Sequence, residues 1–413
     1  MTSTETLAPA GILTPRDDND VRDIVASAVA ASAPIEVIGH GSKRSIGRPV
    51  QAAATLDLSQ LSGVTLYEPE ELVLSAKAGT PVAEITALLA THGQELAFEP
   101  IDYGPLFGLP AGRGTLGGLL AANLAGPRRI KAGAARDHTL GIHAVSGRAE
   151  AFKAGGRVVK NVTGYDLSRG LSGSWGTLAV FTAITLKVLP VAETETTLAL
   201  TGLDAAAAVR AMTAALGSSA DVSAAAHLPA AVAAALPGAP VGAGAVTLLR
   251  LEGIALSVAA RAASLSALLA PHRSTPIDAE ASRSLWRAIR DVVPLAGRGD
   301  PLVWRVSVAP TAGPVIAAVA ERLGGAWLFD WAGGLVWVSL PEALSNAGAP
   351  ALRAAVATAG GGHATLIKAP REVRALVDPF EPQPPALAGV TRRLKDVFDP
   401  RGVLEPGRMY AGV

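Results

Sequence analysis

Cysteine is absent from the 413 residues of this chain. Its absence excludes disulfides, a thiol nucleophile, and zinc or iron–sulfur clusters bound through thiolates. A thiolate-bound one-electron carrier that works with this chain must therefore lie on another chain. Aromatic residues are scarce, at 4%, whereas hydrophobic residues make up 49% of the sequence, which is ample for a buried core.

Excess charge of one sign and long apolar runs are lacking as well. The formal net charge is +1, which predicts no general attraction to nucleic acid or to an anionic membrane. The first 20 residues lack the basic start and the apolar run of a secretion signal. The most apolar long window, residues 204–240, is interrupted by charged residues and prolines, so it is a poor membrane span. We therefore expect a soluble, cytoplasmic protein.

The first 190 residues predict one α+β domain with glycine-rich loops between its elements. The apolar spacing predicts helices at residues 20–33, 81–93 and 118–125, and strands at 34–39, 54–59, 72–79, 140–145, 149–154 and 178–189. Residues 146–148, with the sequence SGR, suit a hairpin turn. Glycines follow the first predicted strand at 39–48 and recur at 103–118, where backbone N–H groups can face a phosphate.

Residues 191–385 predict a second α+β domain, in which alanine-rich helices alternate with strands. The strand patterns lie at residues 194–203, 246–253, 302–310, 326–331 and 335–340. Five of the six tryptophans occur here, and strand spacing favours a place in the core. Residues 378–389 resemble a proline-rich, semi-rigid linker. A short helix at 391–398 and a C-terminal segment, 386–413, complete the chain.

Two glycine motifs partly match known nucleotide-binding motifs. Gly112, Gly114 and Gly117 form one match to the dinucleotide fingerprint, but prolines break the strand that should precede it. The motif GHGSK at residues 39–43 lacks the spacing of a Walker loop. Both loops still suit close backbone approach to a pyrophosphate, and the helix after the second adds its positive N-terminal end.

A series of longer segments resembles a known family. The order is EVIGHGSK, EPEELVLSAKAGTPVAEI, GTLGGLLAANLAGPRR, AARDHTLGIHAVSGRAE, and KNVTGYDLSRGLSGSWGTLAVFTAITLKVLP. It is similar to the FAD-binding domain of the vanillyl-alcohol oxidase and p-cresol methylhydroxylase type, and within it to the FAD-binding subunit of glycolate oxidase. The closing LKDVFDPRGVLEPGRMY is similar to the C-terminal signature of the same group. The resemblance implies a two-subdomain FAD domain, a cap domain with an antiparallel sheet, and a C-terminal segment that packs on the FAD domain.

The same resemblance assigns cofactor contacts residue by residue. Gly39, His40, Gly41, Ser42 and Lys43 match the first pyrophosphate loop, and Thr115, Gly117 and Gly118 match the second. Ala78 and Gly79 match a strand-to-helix turn that touches the cofactor. Residues 123–128, including Asn123 and Arg128, align with the flavin-ring region, and Arg136 and Asp137 with an Arg-Asp pair before the hairpin. Gly176, Thr177 and Val180 fall in the segment that closes over the adenine side. No residue is assigned to catalysis.

Three departures from the family pattern affect what the resemblance implies. Trp175 and Ala179 stand in GSWGTLA where many members read GSEGTLG. The seven histidines show no metal-ligand spacing, so we predict no metal site. Ser42 stands where relatives with a histidyl linkage carry the histidine, so we expect FAD to be bound non-covalently. His40 is then either a donor in the loop or a solvent-exposed residue.

Several residues keep two interpretations. Arg128, Arg129 and Lys131 could bind flavin phosphates, a substrate carboxylate or a partner, or form a solvated basic loop. Lys160 and Tyr165 could face the flavin, although sequence alone favours a core position for Tyr165. His363, in GGHATL, is the best histidine for the cap side of a pocket, and a satisfied turn or core histidine is the alternative.

The resemblance implies an oxidoreductase subunit that converts glycolate to glyoxylate. Its expected partners are a catalytic flavin subunit and an iron–sulfur subunit, with a small 2-hydroxy acid as substrate and at most peripheral membrane association through the partners. A self-sufficient FAD oxidase for a 2-hydroxy acid and a flavin-free structural subunit stay open as alternatives.

Overall fold

The chain begins with a small parallel sheet. The computed structural model describes residues 11–158, 164–236, 244–296, 299, 301–344 and 346–413. The first elements are β1 (Gly11–Leu13), α1 (Asp18–Ala31), β2 (Ile35–Ile38) and β3 (Ala54–Asp57), with β3 between the other two strands. Helix α1 begins where the Asp17 carboxylate accepts from two backbone N–H groups, and it ends at Ser32, which has a left-handed φ of 49°.

A second subdomain follows, built on a five-stranded antiparallel sheet in the order β4-β5-β9-β7-β8. Its strands pack against short helices around one apolar core that includes Phe98, Leu119 and Ile184. Its elements are β4 (Val64–Glu68), β5 (Val73–Lys77), α2 (Val82–Ala90), β6 (Gln94–Glu95), α3 (Leu116–Ala121), α4 (Arg129–Ala132), α5 (Ala135–His138), β7 (Thr139–Ser146), β8 (Ala151–Gly155), α6 (Leu167–Leu171), β9 (Ala179–Lys187) and β10 (Leu189–Pro190).

The middle of the chain forms an eight-stranded antiparallel sheet in the order β14-β11-β13-β12-β16-β17-β15-β18. The strand predictions at 246–253 and 335–340 are confirmed at both ends. The elements are β11 (Thr194–Thr201), α7 (Ala205–Leu216), β12 (Ala224–Leu228), α8 (Ala230–Ala233), β13 (Val246–Gly253), α9 (Ala255–Leu268), β14 (Ser274–Ile277), α10 (Ala279–Arg290), α11 (Val293–Ala296), β15 (Leu302–Ser307), α12 (Gly313–Arg322), β16 (Ala326–Asp330), β17 (Leu335–Leu340), α13 (Ala349–Thr358), β18 (His363–Lys368) and α14 (Arg371–Leu376).

The two faces of this sheet have different neighbours. Alternation along β15 sends Trp304 and Val306 into a core shared with α7, α9, α12 and α13. Val303 points to the opposite face, whose core includes Tyr103 and Leu106 of the N-terminal region. This second face of the sheet therefore packs against the N-terminal region. Residues of both parts line any site between them. The five tryptophans of this region are all buried, as predicted.

Two sequence interpretations are wrong in the structure. The last helix, α15, spans Pro385–Phe398, so residues 385–389 are helical and do not belong to a linker. Proline is tolerated in the first turn of a helix, where its missing N–H would have no partner, and the prolines therefore start this helix. Tyr165 is 91% exposed and has no place in the core. Lys160 lies outside the described residues.

The C-terminal segment is tied to the N-terminal region by a buried lysine. Lys395 of α15 donates to the carbonyls of Thr177 and Leu404, both at 2.8 Å, and pairs with Asp399 at 2.8 Å. Asp399 in turn accepts from the backbone N–H groups of Val403 and Leu404. The chain after α15 also places Leu404 beside Ile35 of β2. Residues 395–405 are therefore part of the N-terminal structure.

Candidate functional site

A narrow channel runs through the N-terminal region between two glycine loops. The first loop follows β2, and the second precedes α3, where Thr115 accepts from the Gly118 N–H. Of the residues predicted to bind FAD, the channel is lined by Gly39, His40, Gly41, Ser42, Lys43, Ala78, Thr115, Gly117, Gly118, Gly176 and Val180. The structure thus brings together residues from four separate segments of the sequence.

The glycines permit the loops to approach each other. A Cβ on Gly39 would lie 2.4 Å from Oγ1 of Thr115, and one on Gly117 would lie 2.9 Å from Cβ of Ala78. Gly41 and Gly176 have φ angles of 71° and 80°, which glycine adopts without strain. Side chains at these four positions would collide with the opposite loop or strain the backbone, so the channel depends on their absence.

Lys43 supplies positive charge to the channel. Its ammonium donates to Oγ of Ser42 at 3.2 Å, and among the described residues no carboxylate lies within ion-pair distance of it. Burial lowers the pKa of Lys43 to about 8, an effect that Asp102 opposes and Arg408 reinforces. A half-buried, unpaired ammonium between two glycine loops is suited to an anion such as a diphosphate.

The C-terminal segment completes the channel wall. Arg408 lines the channel, donates to the carbonyl of Lys43 at 3.0 Å and pairs with Glu405 at 2.8 Å. Its guanidinium also lies over the Trp175 ring, 5.6 Å from the centroid. Arg408 is not among the residues predicted from the sequence to bind FAD. Its position in the PGRMY signature was the signal that could have indicated it. Trp175 has a φ of 55° and packs edge-on against Phe380, so it joins the channel wall to the segment between α14 and α15.

A larger cavity of about 610 Å³ adjoins the channel at Lys43 and Thr115, which line both spaces. Its walls come from the N-terminal region and from the cap, so it lies between the two. Arg128 lines this cavity, as do Glu95, Glu99, Arg250 and Trp286. A molecule longer than the channel could therefore extend from the glycine loops into a space bounded by both domains.

The positive charge of Arg128 is neutralised by neighbouring carboxylates. Arg128 pairs with Glu95 at 2.5 Å and Glu252 at 3.3 Å, and Arg250 donates to both oxygens of Glu99 at 2.8 and 2.9 Å. Burial would raise the pKa of Glu99, but Arg250 and Arg128 overcome this effect and lower it to about 2. Because Glu252 and Arg250 belong to β13, this cluster connects the cap to the N-terminal region.

The other predicted site residues lie behind the channel. Gly79 is packed against the backbone of Leu58, and the side chain of Asn123 accepts from the Arg136 N–H at 3.1 Å. Asp137 accepts from the Ala134 N–H, and the Thr177 hydroxyl donates to the Ser174 carbonyl. None of these five residues, Gly79, Asn123, Arg136, Asp137 and Thr177, lines the channel or the cavity. Within the described part of the chain, no group of three or more His, Asp or Glu residues is placed to hold a metal.

Comparison with known proteins identifies the family. A family model described as an FAD binding domain matches residues 9–155. Glycolate oxidase subunit GlcE of Escherichia coli (strain K12) is 32% identical over 392 residues, which cover 94% of this chain and 95% of the relative. The chain belongs to the GlcE family of glycolate oxidase subunits. It is thus an FAD-linked oxidoreductase subunit, and FAD is its cofactor.

Other relatives of this GlcE-family chain are similar over part of their length or by fold. D-lactate dehydrogenase of Archaeoglobus fulgidus is 29% identical over 190 residues, 46% of this chain and 41% of the relative. The solved structure of p-cresol methylhydroxylase with substrate bound has a TM-score of 0.71 at 14% identity and covers 98% of this chain and 90% of that one. Alkyldihydroxyacetonephosphate synthase has a TM-score of 0.66 at 16% identity, with 96% and 76% covered. The fold is therefore the predicted FAD-binding type with a cap domain.

The residues of this GlcE-family chain fit FAD. The glycine loops leave room where a Cβ on Gly39 or Gly117 would intrude, Lys43 offers an unpaired ammonium, and the channel adjoins a cavity between the domains. Among the helices that the structure describes, none has the length and apolar character needed to cross a membrane.

Proposed function

We propose that this chain is the FAD-carrying subunit of a complex that oxidises glycolate to glyoxylate and passes the electrons to an iron–sulfur subunit. The observation that carries the proposal is the unpaired Lys43 ammonium between two glycine loops, in a channel that shares Lys43 and Thr115 with the interdomain cavity. The full-length similarity to a glycolate oxidase subunit supports the substrate. Because the sequence lacks cysteine, a thiolate-bound cluster has to lie in a partner chain.

In this proposal the loops at residues 39–43 and 115–118 hold the diphosphate, and Lys43 pairs with its charge. Gly176 and Val180 accommodate the adenosine end, while Gly79, Asn123, Arg136, Asp137 and Thr177 support the loops from behind. Arg128 fixes the domain contact beside the cavity in which the ring would lie. Bound FAD supplies the two-electron acceptor. The protein positions the substrate, excludes water between the domains and holds the cofactor non-covalently, since Ser42 cannot form a histidyl linkage.

The proposal also concerns partners and location. A catalytic flavin subunit and an iron–sulfur subunit complete the complex, and the complex works in the cytoplasm or at the inner face of the membrane through those partners. A second flavin chain in the complex would explain why this chain has no group of metal-ligating side chains in the described cap residues.

The experiment measures FAD per chain, with Lys43 as the tested residue. The native chain purified alone should release one FAD on acid denaturation and show the visible flavin spectrum, and its complex with the catalytic flavin subunit should release one more. Loss of a charge-assisted hydrogen bond in Lys43→Gln should raise the FAD dissociation constant roughly 10- to 100-fold, which corresponds to about 1.5–3 kcal/mol.

The exposed Lys153 of β8 provides the matched control, because Lys153→Gln removes the same charge away from the channel. Native protein that holds no flavin after refolding with added FAD would contradict the proposal. A complex that reduces its acceptor with another 2-hydroxy acid but not with glycolate would contradict the substrate.

A further inference from the structure

Two arginines from different domains converge on one tryptophan. The guanidinium carbon of Arg305, in β15 of the cap, lies 4.9 Å from the Trp331 ring centroid. That of Arg129, in α4 of the N-terminal region, lies 5.1 Å from the same ring. The indole N–H of Trp331 donates to the Gly126 carbonyl at 3.0 Å, and the side chain is buried. Trp331 is therefore a fixed platform that both guanidiniums contact.

Neither arginine is neutralised by an ion pair. In the described parts of the chain no carboxylate lies within 4.0 Å of either guanidinium, whereas Arg128, Arg250 and Arg290 nearby all have carboxylate partners. Burial lowers the pKa of Arg305, with Tyr103 and Asp330 opposing it. Burial lowers the pKa of Arg129 too, reinforced by Arg305 and Arg136 and opposed by Asp137. Held together without counter-charges, the pair favours an anionic ligand.

His363 lies on the same face of the cap sheet as Arg305. In the antiparallel pairing of β15 with β18, Arg305 is opposite Thr365 and Ser307 is opposite His363, so Arg305 and His363 share one face of the sheet. That is the face packed on the N-terminal region, because Val303 and Trp337 of the same face contact Tyr103 and its neighbours.

His363 remains partly open to solvent, and in the described chain its ring has no hydrogen-bond partner. The interpretation of His363 as a satisfied core residue is therefore wrong. Burial lowers the pKa of His363, and Arg305 and Arg129 lower it further, which favours the neutral ring. A neutral imidazole offers one donor and one acceptor, which a hydroxyl group can use.

We propose that Arg305 and Arg129 bind the carboxylate of a small 2-hydroxy acid at the domain boundary, with His363 placed to accept a hydrogen bond from its hydroxyl. The inference rests on the proposed function for the class of ligand, and it assigns the binding residues. Arg305 is the principal anchor because its guanidinium is in no ion pair in the described chain and lies on the cap face beside Tyr103. Arg129 closes the site from the opposite domain.

The test uses the full chain with FAD and titrates it with oxalate, an unreactive carboxylate, by calorimetry. Arg305→Gln should weaken oxalate binding roughly 10- to 100-fold and Arg129→Gln by a smaller factor, because a charged hydrogen bond is lost. Arg322→Gln, on the exposed surface of α12, removes the same charge elsewhere and should bind as the native chain does. Arg305→Lys keeps the charge without the planar fork and should fall between.

His363 is tested by comparing glycolate with acetate, which lacks the hydroxyl. The native chain should prefer glycolate, and His363→Phe should reduce that preference to about onefold while acetate binding stays unchanged. The FAD content and melting temperature of every variant are measured in the same samples. Oxalate binding by Arg305→Gln at native strength, with native FAD content and melting temperature, overturns this inference and leaves the proposed function standing. Absence of FAD from the native chain overturns the proposed function instead.

Discussion

Gly117 lies at the closest contact between the second glycine loop and the turn after β5. Its N–H donates to the Ala78 carbonyl at 2.7 Å, and an added Cβ would lie 2.9 Å from Cβ of Ala78. Ala78 is itself buried and short, so it has no flexible end that could move aside. A single methyl group at residue 117 therefore narrows the channel and strains the loop.

We expect Gly117→Ala to lower the free energy of unfolding by about 1–3 kcal/mol, the usual range for overpacking, and to reduce FAD content. Gly170→Ala in α6 is the matched control, because its added Cβ meets no atom within 4 Å. Urea unfolding and flavin content per chain check both variants. Equal values for the two variants would show that the loop contact is unimportant.

At the residue scale, the positions of the glycine loops could be predicted from the sequence. The contacts of several charged residues could not. Local sequence signals a loop because glycine density and spacing are visible within about ten residues. Arg408 is 365 residues from Lys43, whose carbonyl it contacts. Arg129 and Arg305 likewise come together only when the two domains pack against each other. Arg128, which the family resemblance placed near the flavin ring, lines the cavity, but its carboxylate partners come from residues that no local pattern connects.

The elements of the cap domain were the easiest to predict, and α15 shows where such predictions fail. Strands β13 and β17 are short, buried segments rich in valine and leucine, and they are too short for a typical helix. Helix α15 begins in a segment with four prolines between residues 379 and 385, a composition that is also typical of linkers. The helix exists because Lys395, one turn before its end, is buried in contacts that the tertiary structure creates.

We expect Lys395→Met to destabilise the protein by about 3–5 kcal/mol, because the variant leaves the buried Asp399 charge without its partner. The C-terminal segment should then be cleaved by protease much earlier than in the native chain. Arg392→Met, on the exposed side of the same helix, is the control and should change stability by less than about 0.5 kcal/mol. Urea unfolding and timed proteolysis with mass analysis of the fragments measure both effects. Unchanged cleavage in Lys395→Met would contradict the anchoring role.

At the scale of the whole molecule, the buried charge cluster is the main polar contact between the two domains. Glu99 lies in the N-terminal region and accepts from Arg250 of the cap, and Arg128 joins Glu95 to Glu252 across the same boundary. A charge that loses its partner in such surroundings is far less stable than a charge in water. The fold class was predictable from the order of the segments, whereas this docking interaction was not.

We expect Glu99→Gln to lower the free energy of unfolding by about 3–5 kcal/mol, because Arg250 loses its negative partner and one of the two accepting oxygens becomes an NH2 group that cannot accept. The double variant Glu99→Gln/Arg250→Gln should recover part of this loss, since neither charge is then buried alone. Glu70→Gln, an exposed carboxylate outside any ion pair in the described chain, is the control. A double-mutant cycle by urea unfolding gives the coupling, and additive losses would contradict the paired arrangement.

Burial of this cluster has a practical consequence for handling the protein. Salt screens exposed charges strongly at molar concentration but has little access to pairs enclosed between packed domains. Arg250 and Glu99 have side chains that are 3% and 14% exposed, so concentrated salt should leave the two domains of the chain in register. A partner subunit held mainly by surface charges would dissociate under the same conditions. We therefore expect a high-salt wash to remove partners that are held by surface charges while the architecture of the chain itself stays intact.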